Sequence, residues 1–199
     1  MPNWSSVLMK IVGPGKDIRN LRDRIKRLEN RKTPRLPTGF GKLWWGNIVD
    51  SLGKNWKEIP CRGYICYWDW SPGGGVLTLD SDFAWGLPFE ILDLIEDFYD
   101  KRVKVYYLEE EPGMGIYETN DEEGRYFQER YKIDGEVEPW PEYFSTIEET
   151  AERLSSFVEF SVDPTEKGID DAITRWELEA NEDEDRWLSF NKFEVIRRG

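Results

Sequence analysis

Residues 76–108 constrain the fold more than any other stretch of this chain. Residues 76–81 (VLTLDS) alternate apolar and polar side chains, the period-two pattern of a half-buried strand. Pro88 then falls where the first turn of a helix tolerates a missing N–H. Ile91, Leu92, Ile95, Phe98 and Tyr99 follow at spacings that line one apolar stripe on a helix. Lys101 and Arg102 stand where cations favour a helix C-terminus, and residues 103–108 (VKVYYL) read as the next strand. A strand, a one-faced helix and a returning strand must share an apolar layer, so the chain is built as helices on a sheet.

The same periods recur upstream. Val7, Met9 and Ile11 alternate on one face of a first strand, and Gly13-Pro14-Gly15 turns the chain. Ile18, Leu21, Ile25 and Leu28 then stripe a helix over residues 17–29, whose other face carries Arg19, Arg22, Arg24, Lys26 and Arg27. Residues 62–70 alternate again, with Tyr64, Cys66, Trp68 and Trp70 expected on one face. The order strand, helix, strand, strand, helix, strand predicts an α+β, ferredoxin-like fold: a four-stranded antiparallel sheet with two helices on one face.

Residues 30–61 interrupt this core with Pro34, Pro37, Gly39 and Gly41, and read as an insertion carrying a short helix near 47–52. Downstream, residues 115–119 and 125–133 suggest a further hairpin. The expected organisation is therefore a core over 1–133 with the insertion at 30–61, and a C-terminal elaboration over 134–199 packed on that core. Ser145 or Thr146 with Glu148 and Glu149 predicts a helix start by a capping box, running to about Phe157. Alternation of Trp176, Leu178 and Ala180 favours a last hairpin, with a helix over 169–178 as the competing reading.

Three patches carry a resemblance. They are Met1-Pro2-Asn3-Trp4 ahead of a strand and a Gly-Pro turn, Phe83-Ala84-Trp85-Gly86-Leu87-Pro88 opening the second helix, and Tyr107-Leu108-Glu109 with Glu111-Pro112-Gly113-Met114-Gly115 after the last strand. In order and spacing they resemble the YubB-type ferredoxin-like domain of uncharacterised plasmid and phage proteins, over about residues 1–29 and 62–133. The resemblance implies the fold and a mobile-element setting. It brings no activity and no catalytic residues.

Charge is distributed unevenly. The net charge is −13, but residues 1–60 hold 13 Lys/Arg against 5 Asp/Glu, and residues 61–199 hold 14 against 35. Such asymmetry points to charged partners as well as to a solvated surface. The chain has no histidine, which removes the commonest general base and the Ser-His and Cys-His pairs. Gly13-Pro14-Gly15-Lys16 lacks the spacing of a phosphate-binding loop. Cys61 and Cys66 alone cannot complete a zinc site, and a reducing, cytoplasmic setting suits two unpaired thiols. No apolar run reaches membrane-spanning length and the N-terminus lacks a leader's apolar core, so no membrane partner is expected. No cofactor or metal is expected. The pairs Asp80/Asp82 and Glu109/Glu111 are the only carboxylate arrangement that suggests an enzyme, and close pairs are common among 40 acidic residues.

The sequence thus favours a non-enzymatic binder whose partner is a host protein with a basic surface. Its candidate contacts are the acidic groups Glu109, Glu110 and Glu111, Asp121, Glu122 and Glu123, and Glu182, Asp183, Glu184 and Asp185. Trp44 and Trp45, in a Gly-flanked loop, are the expected exposed apolar anchors. The alternatives are direct nucleic-acid binding through the basic helix and insertion, which the overall charge opposes, and a carboxylate-based enzyme. An aromatic sheet face at Tyr64, Trp68 and Trp70 also has the look of a base-stacking surface.

Overall fold

The six periodic segments of the ferredoxin-like core form the elements their patterns predict. A computed structural model describes residues 3–71, 73, 75–136, 138–180 and 186–197. Its first strand, β1 (Trp4–Val12), leads to α1 (Gly15–Glu29), a short α2 (Trp45–Ser51), β2 (Gly63–Ser71), β3 (Val76–Ala84), α3 (Phe89–Phe98) and β4 (Lys104–Glu111). The strands lie in the order β2-β3-β1-β4, each pair antiparallel. This is a ferredoxin-like α+β sheet with additional elements. The chain divides into two compact units, residues 1–121 and 122–199.

In the first unit, register decides the core. Val7, Met9 and Ile11 face Ser81, Leu79 and Leu77 on one neighbour and Glu109, Tyr107 and Val105 on the other. All nine are buried, and α1 and α3 bring Ile18, Leu21, Ile25, Ile91, Leu92 and Ile95 to the same apolar cluster. Both helices therefore cover one face, and Ile95 is fully buried.

Two local departures matter. The β2–β3 register shifts between Ile65 and Tyr67. This bulge moves the following side chains to the opposite face. Trp68 and Trp70 consequently pair across from the buried Leu79 and Leu77 while Tyr64 stays outside, so the expected aromatic face is split. Trp68 donates to the Glu29 carboxylate at 3.4 Å, and the Arg22 guanidinium lies 3.9 Å over the Trp70 ring. Secondly, residues 116–119 do not pair with 125–133. They form β5 (Ile116–Thr119), which returns on β4 through a single 3-10 turn, Pro112–Met114. The Glu111 carboxylate accepts from the Met114 N–H, and Gly115 takes the left-handed φ of 67° that closes the turn.

In the second unit, β6 (Tyr131–Gly135) lies between β7 (Glu142–Phe144) and β8 (Leu188–Lys192), both antiparallel to it. Helices α4 (Ile147–Val158) and α5 (Glu166–Leu178) bury Leu154, Val158, Ile169 and Ile173 with Ile133 and Leu188. The competing helix thus replaces the expected hairpin at 176–180. Thr165 caps it by accepting from the Gly168 N–H at 3.0 Å, and the buried residues keep helical spacing.

The expected helix start is also present, as a capping-box-like arrangement shifted by one residue. Thr146 accepts from the Glu149 N–H at 3.2 Å, and the Glu149 carboxylate accepts from the Ser145 N–H at 3.1 Å. Thr146→Ala is expected to cost about 1 kcal/mol. Amide exchange in the first turn of α4 should then accelerate roughly fivefold, with β1 amides unchanged.

Candidate functional site

Trp44 and Trp45 are not the exposed anchors their Gly-flanked setting suggests. Trp45 opens α2 with 0% exposure, stacked on Phe83 at 5.6 Å between ring centroids. Trp44 is 5% exposed and donates from its indole N–H to the Cys61 carbonyl at 2.5 Å. The physical reason is that the insertion does not stay a loop. Its Trp44 bridges Tyr64, and the Leu43 carbonyl accepts from the Ile65 N–H at 3.0 Å, so the segment joins the edge at β2 and turns its rings inward.

This edge builds an aromatic site in the first unit, a cavity of about 510 Å³. Phe40, Trp44 and Trp56 form one contiguous wall, with ring centroids 4.9 and 5.2 Å apart. Trp4 and Tyr64, 5.4 Å apart, and Trp85 also line the cavity. Four of these six rings are substantially exposed: Trp4, Phe40, Tyr64 and Trp85. Trp85 has a φ of 73°. That region costs a non-glycine residue roughly 1–2 kcal/mol and is an outlier for a bulky side chain. Its N–H donates to the Asn3 carbonyl at 3.0 Å, which holds the turn in place. The signal in the sequence was Trp85-Gly86 at a strand-to-helix turn, where a small residue is the ordinary choice.

Arg62 supplies the cavity's charge. Its exposed guanidinium has no hydrogen-bond or ion-pair partner among the described residues. Lys57, outside the lining, lies 5.6 Å over the Trp56 ring.

The acidic candidates divide. Glu109 is 2% exposed on the core side of β4 and accepts from Ser5 Oγ at 2.5 Å and the Leu87 N–H at 2.8 Å. Burial raises its carboxyl above the ordinary range, while those two hydrogen bonds oppose the rise. Glu111 is buried and holds the turn after β4, and Asp121 is buried beside Thr119, whose hydroxyl accepts from the Asp121 N–H at 3.1 Å. These three were expected in acidic surface clusters and are instead structural. Glu110 is half-buried, and Glu122 and Glu123 are exposed, ion-paired with Arg197 and Arg125. Glu182, Asp183, Glu184 and Asp185 lie outside the described residues.

Glu109 and Glu111 do not form a shared site, whereas Asp80 and Asp82 share one strand face. Glu109 and Glu111 are bound to separate turns. Asp80 and Asp82 lie on the opposite sheet face, where burial first and Asp82 second raise the Asp80 carboxyl. The neighbouring Cys66 thiol is pushed up to about 11, by partial burial and then by Asp82, and Cys61 to about 11 by burial. Both thiols are therefore protonated at neutral pH and poor nucleophiles. Among the described residues, no group of three or more Cys, Asp or Glu side chains could hold a metal ion, and no helix is long and apolar enough to cross a membrane.

Comparison of the chain with protein-family models, with curated proteins and with solved structures finds no match.

Proposed function

We propose that this chain is a non-catalytic acidic binding protein of a phage or plasmid. In this reading it acts in the host cytoplasm, where it inhibits a nucleic-acid-handling defence protein by occupying that protein's basic surface. The mobile-element setting rests on the resemblance to YubB-type domains. The binding mode rests on one observation: the negative charge is concentrated in the second unit. Residues 122–199 hold 22 Asp/Glu against 10 Lys/Arg, a net −12, whereas residues 1–121 hold 18 against 17.

Much of that charge is exposed and uncompensated. Glu148, Glu152, Glu159 and Asp163 are exposed and have no basic partner among the described residues. Asp170 shows the crowding directly: partial burial raises its carboxyl, and Asp171 and Glu166 raise it further by repulsion. A surface of this kind speeds association with a positively charged cleft and resembles a row of phosphates to it. Glu122 and Glu123 extend the candidate contacts of this unit, Glu110 remains a candidate on the first unit, and Glu109, Glu111, Asp121, Trp44 and Trp45 drop out.

The test is capture of a partner from bacterial lysate by the immobilised chain, followed by kinetics with the purified partner. Association is expected to slow on the order of tenfold between low and high salt, because exposed charges are screened within about 8–10 Å at physiological ionic strength. Glu148→Lys with Glu152→Lys should slow it at low salt and leave dissociation nearly unchanged. Capture that survives both high salt and this double reversal places the interface elsewhere and ends the mimicry reading.

A further inference from the structure

We propose that the aromatic cavity of the first unit binds a free nucleoside monophosphate, its base stacked among the rings and its phosphate at Arg62. This inference stands apart from the acidic-surface reading, since none of the residues it uses lies in the second unit.

Size comes first. A cavity of about 510 Å³ falls within the roughly 300–1,000 Å³ of small-molecule sites. The wall chemistry comes next. Six rings line it: the contiguous Phe40, Trp44 and Trp56, the pair Trp4 and Tyr64, and Trp85. Flat π-rich ligands gain most from such walls, and every nucleobase has a face to offer them.

Charge then separates the possible occupants. A cage for a quaternary ammonium uses the same rings, but here Arg62 would repel the cation. A purely apolar side chain gains nothing from a guanidinium without a partner. A phosphate does, through paired charge-assisted hydrogen bonds. The neighbouring groove shares Arg62 and Trp85 and carries Glu90, Glu109 and Glu118. Those carboxylates disfavour additional phosphates, so a monophosphate suits the site better than a triphosphate.

Trp85 is the independent sign that the cavity is built for contact. A large ring that is 52% exposed contributes little to the core, yet it occupies a backbone conformation with φ 73° that favours glycine. Strain retained at an exposed aromatic has no packing return, and such outliers concentrate at binding sites.

The experiment is isothermal titration of the full chain with AMP, adenosine, inorganic phosphate, ATP and a ten-nucleotide single-stranded DNA. AMP should bind about tenfold more tightly than adenosine, and phosphate alone should give no measurable heat. Arg62→Gln should bring AMP to the affinity of adenosine and leave adenosine unchanged. Trp85→Gly, which suits the positive φ and so preserves the turn, should weaken AMP and adenosine together by about tenfold or more. Tyr64→Ala gives a second ring deletion in the same cavity, and circular dichroism of each variant checks the fold. Absence of AMP binding to the unmodified chain overturns the proposal, as does AMP binding indifferent to Arg62→Gln and to both ring deletions. DNA binding far tighter than AMP also overturns it, in favour of a strand-binding groove.

Discussion

Trp45→Ala is expected to destabilise the first unit by about 3–5 kcal/mol, the range for deleting a buried tryptophan. The indole is fully buried, stacked on Phe83, and packed in the cluster that joins α1, α2, α3 and the sheet. Truncation removes its transfer energy and leaves a cavity that a helix as short as Trp45–Ser51 cannot fill by moving, because Arg24 donates to its Ser51 carbonyl and Asn47 ties it to the preceding loop. Asn47 accepts from the Leu36 N–H at 2.9 Å and donates to the Gly41 carbonyl at 2.8 Å. Urea unfolding followed by amide exchange at β1 measures the effect, and the midpoint should fall with little change in slope. An exposed anchor would behave otherwise: surface substitutions usually stay within about 0.5 kcal/mol. A loss below about 1 kcal/mol would return Trp45 to the surface.

The contrast shows what this sequence discloses and what it withholds. Periodicity located β1, α1, β3, α3 and β4 because each element buries one face, and a face writes its period into the residues that build it. Thr146 announced α4 because a cap is a local interaction between neighbours in the chain. Trp44 and Trp45 misled because their burial depends on the insertion pairing with β2, a contact between distant segments that no local pattern records. The bulge after Ile65 misled in the same way. One unpaired residue reversed the faces of Trp68 and Trp70, and the alternation in the sequence runs straight through it. Glu109 and Glu111 read as solvated by composition, yet their positions alternate with Leu108 and Glu110, which places them on the buried face of β4. The cavity was legible only in part. Its rings come from five separate stretches of chain, and Trp85 alone carried a local signal, in the company of Gly86.

Glu109→Ala is expected to cost about 1–3 kcal/mol at neutral pH, the penalty for leaving buried donors unpaired. Its carboxylate accepts from Ser5 on β1 and from the Leu87 N–H just before α3, so it ties the sheet to the turn that carries Trp85 and Gly86. Alanine abandons both donors, whereas glutamine keeps an oxygen for them. The two variants should also differ from the native chain in pH dependence. A carboxyl raised by burial binds its proton more tightly in the folded state, so Glu109 supports stability most when protonated. That contribution declines as pH rises from the ordinary carboxylate range through the raised folded value, and is constant above it. Glu109→Gln, which carries no titrating group, should therefore gain on the native chain as pH goes from about 4 to about 7, while Glu109→Ala stays below Glu109→Gln throughout. Thermal unfolding of the three proteins at both pH values decides the sign. If the native chain gains on Glu109→Gln as pH rises, the hydrogen bonds from Ser5 and Leu87 outweigh burial, and the carboxylate belongs to the turn in its charged form.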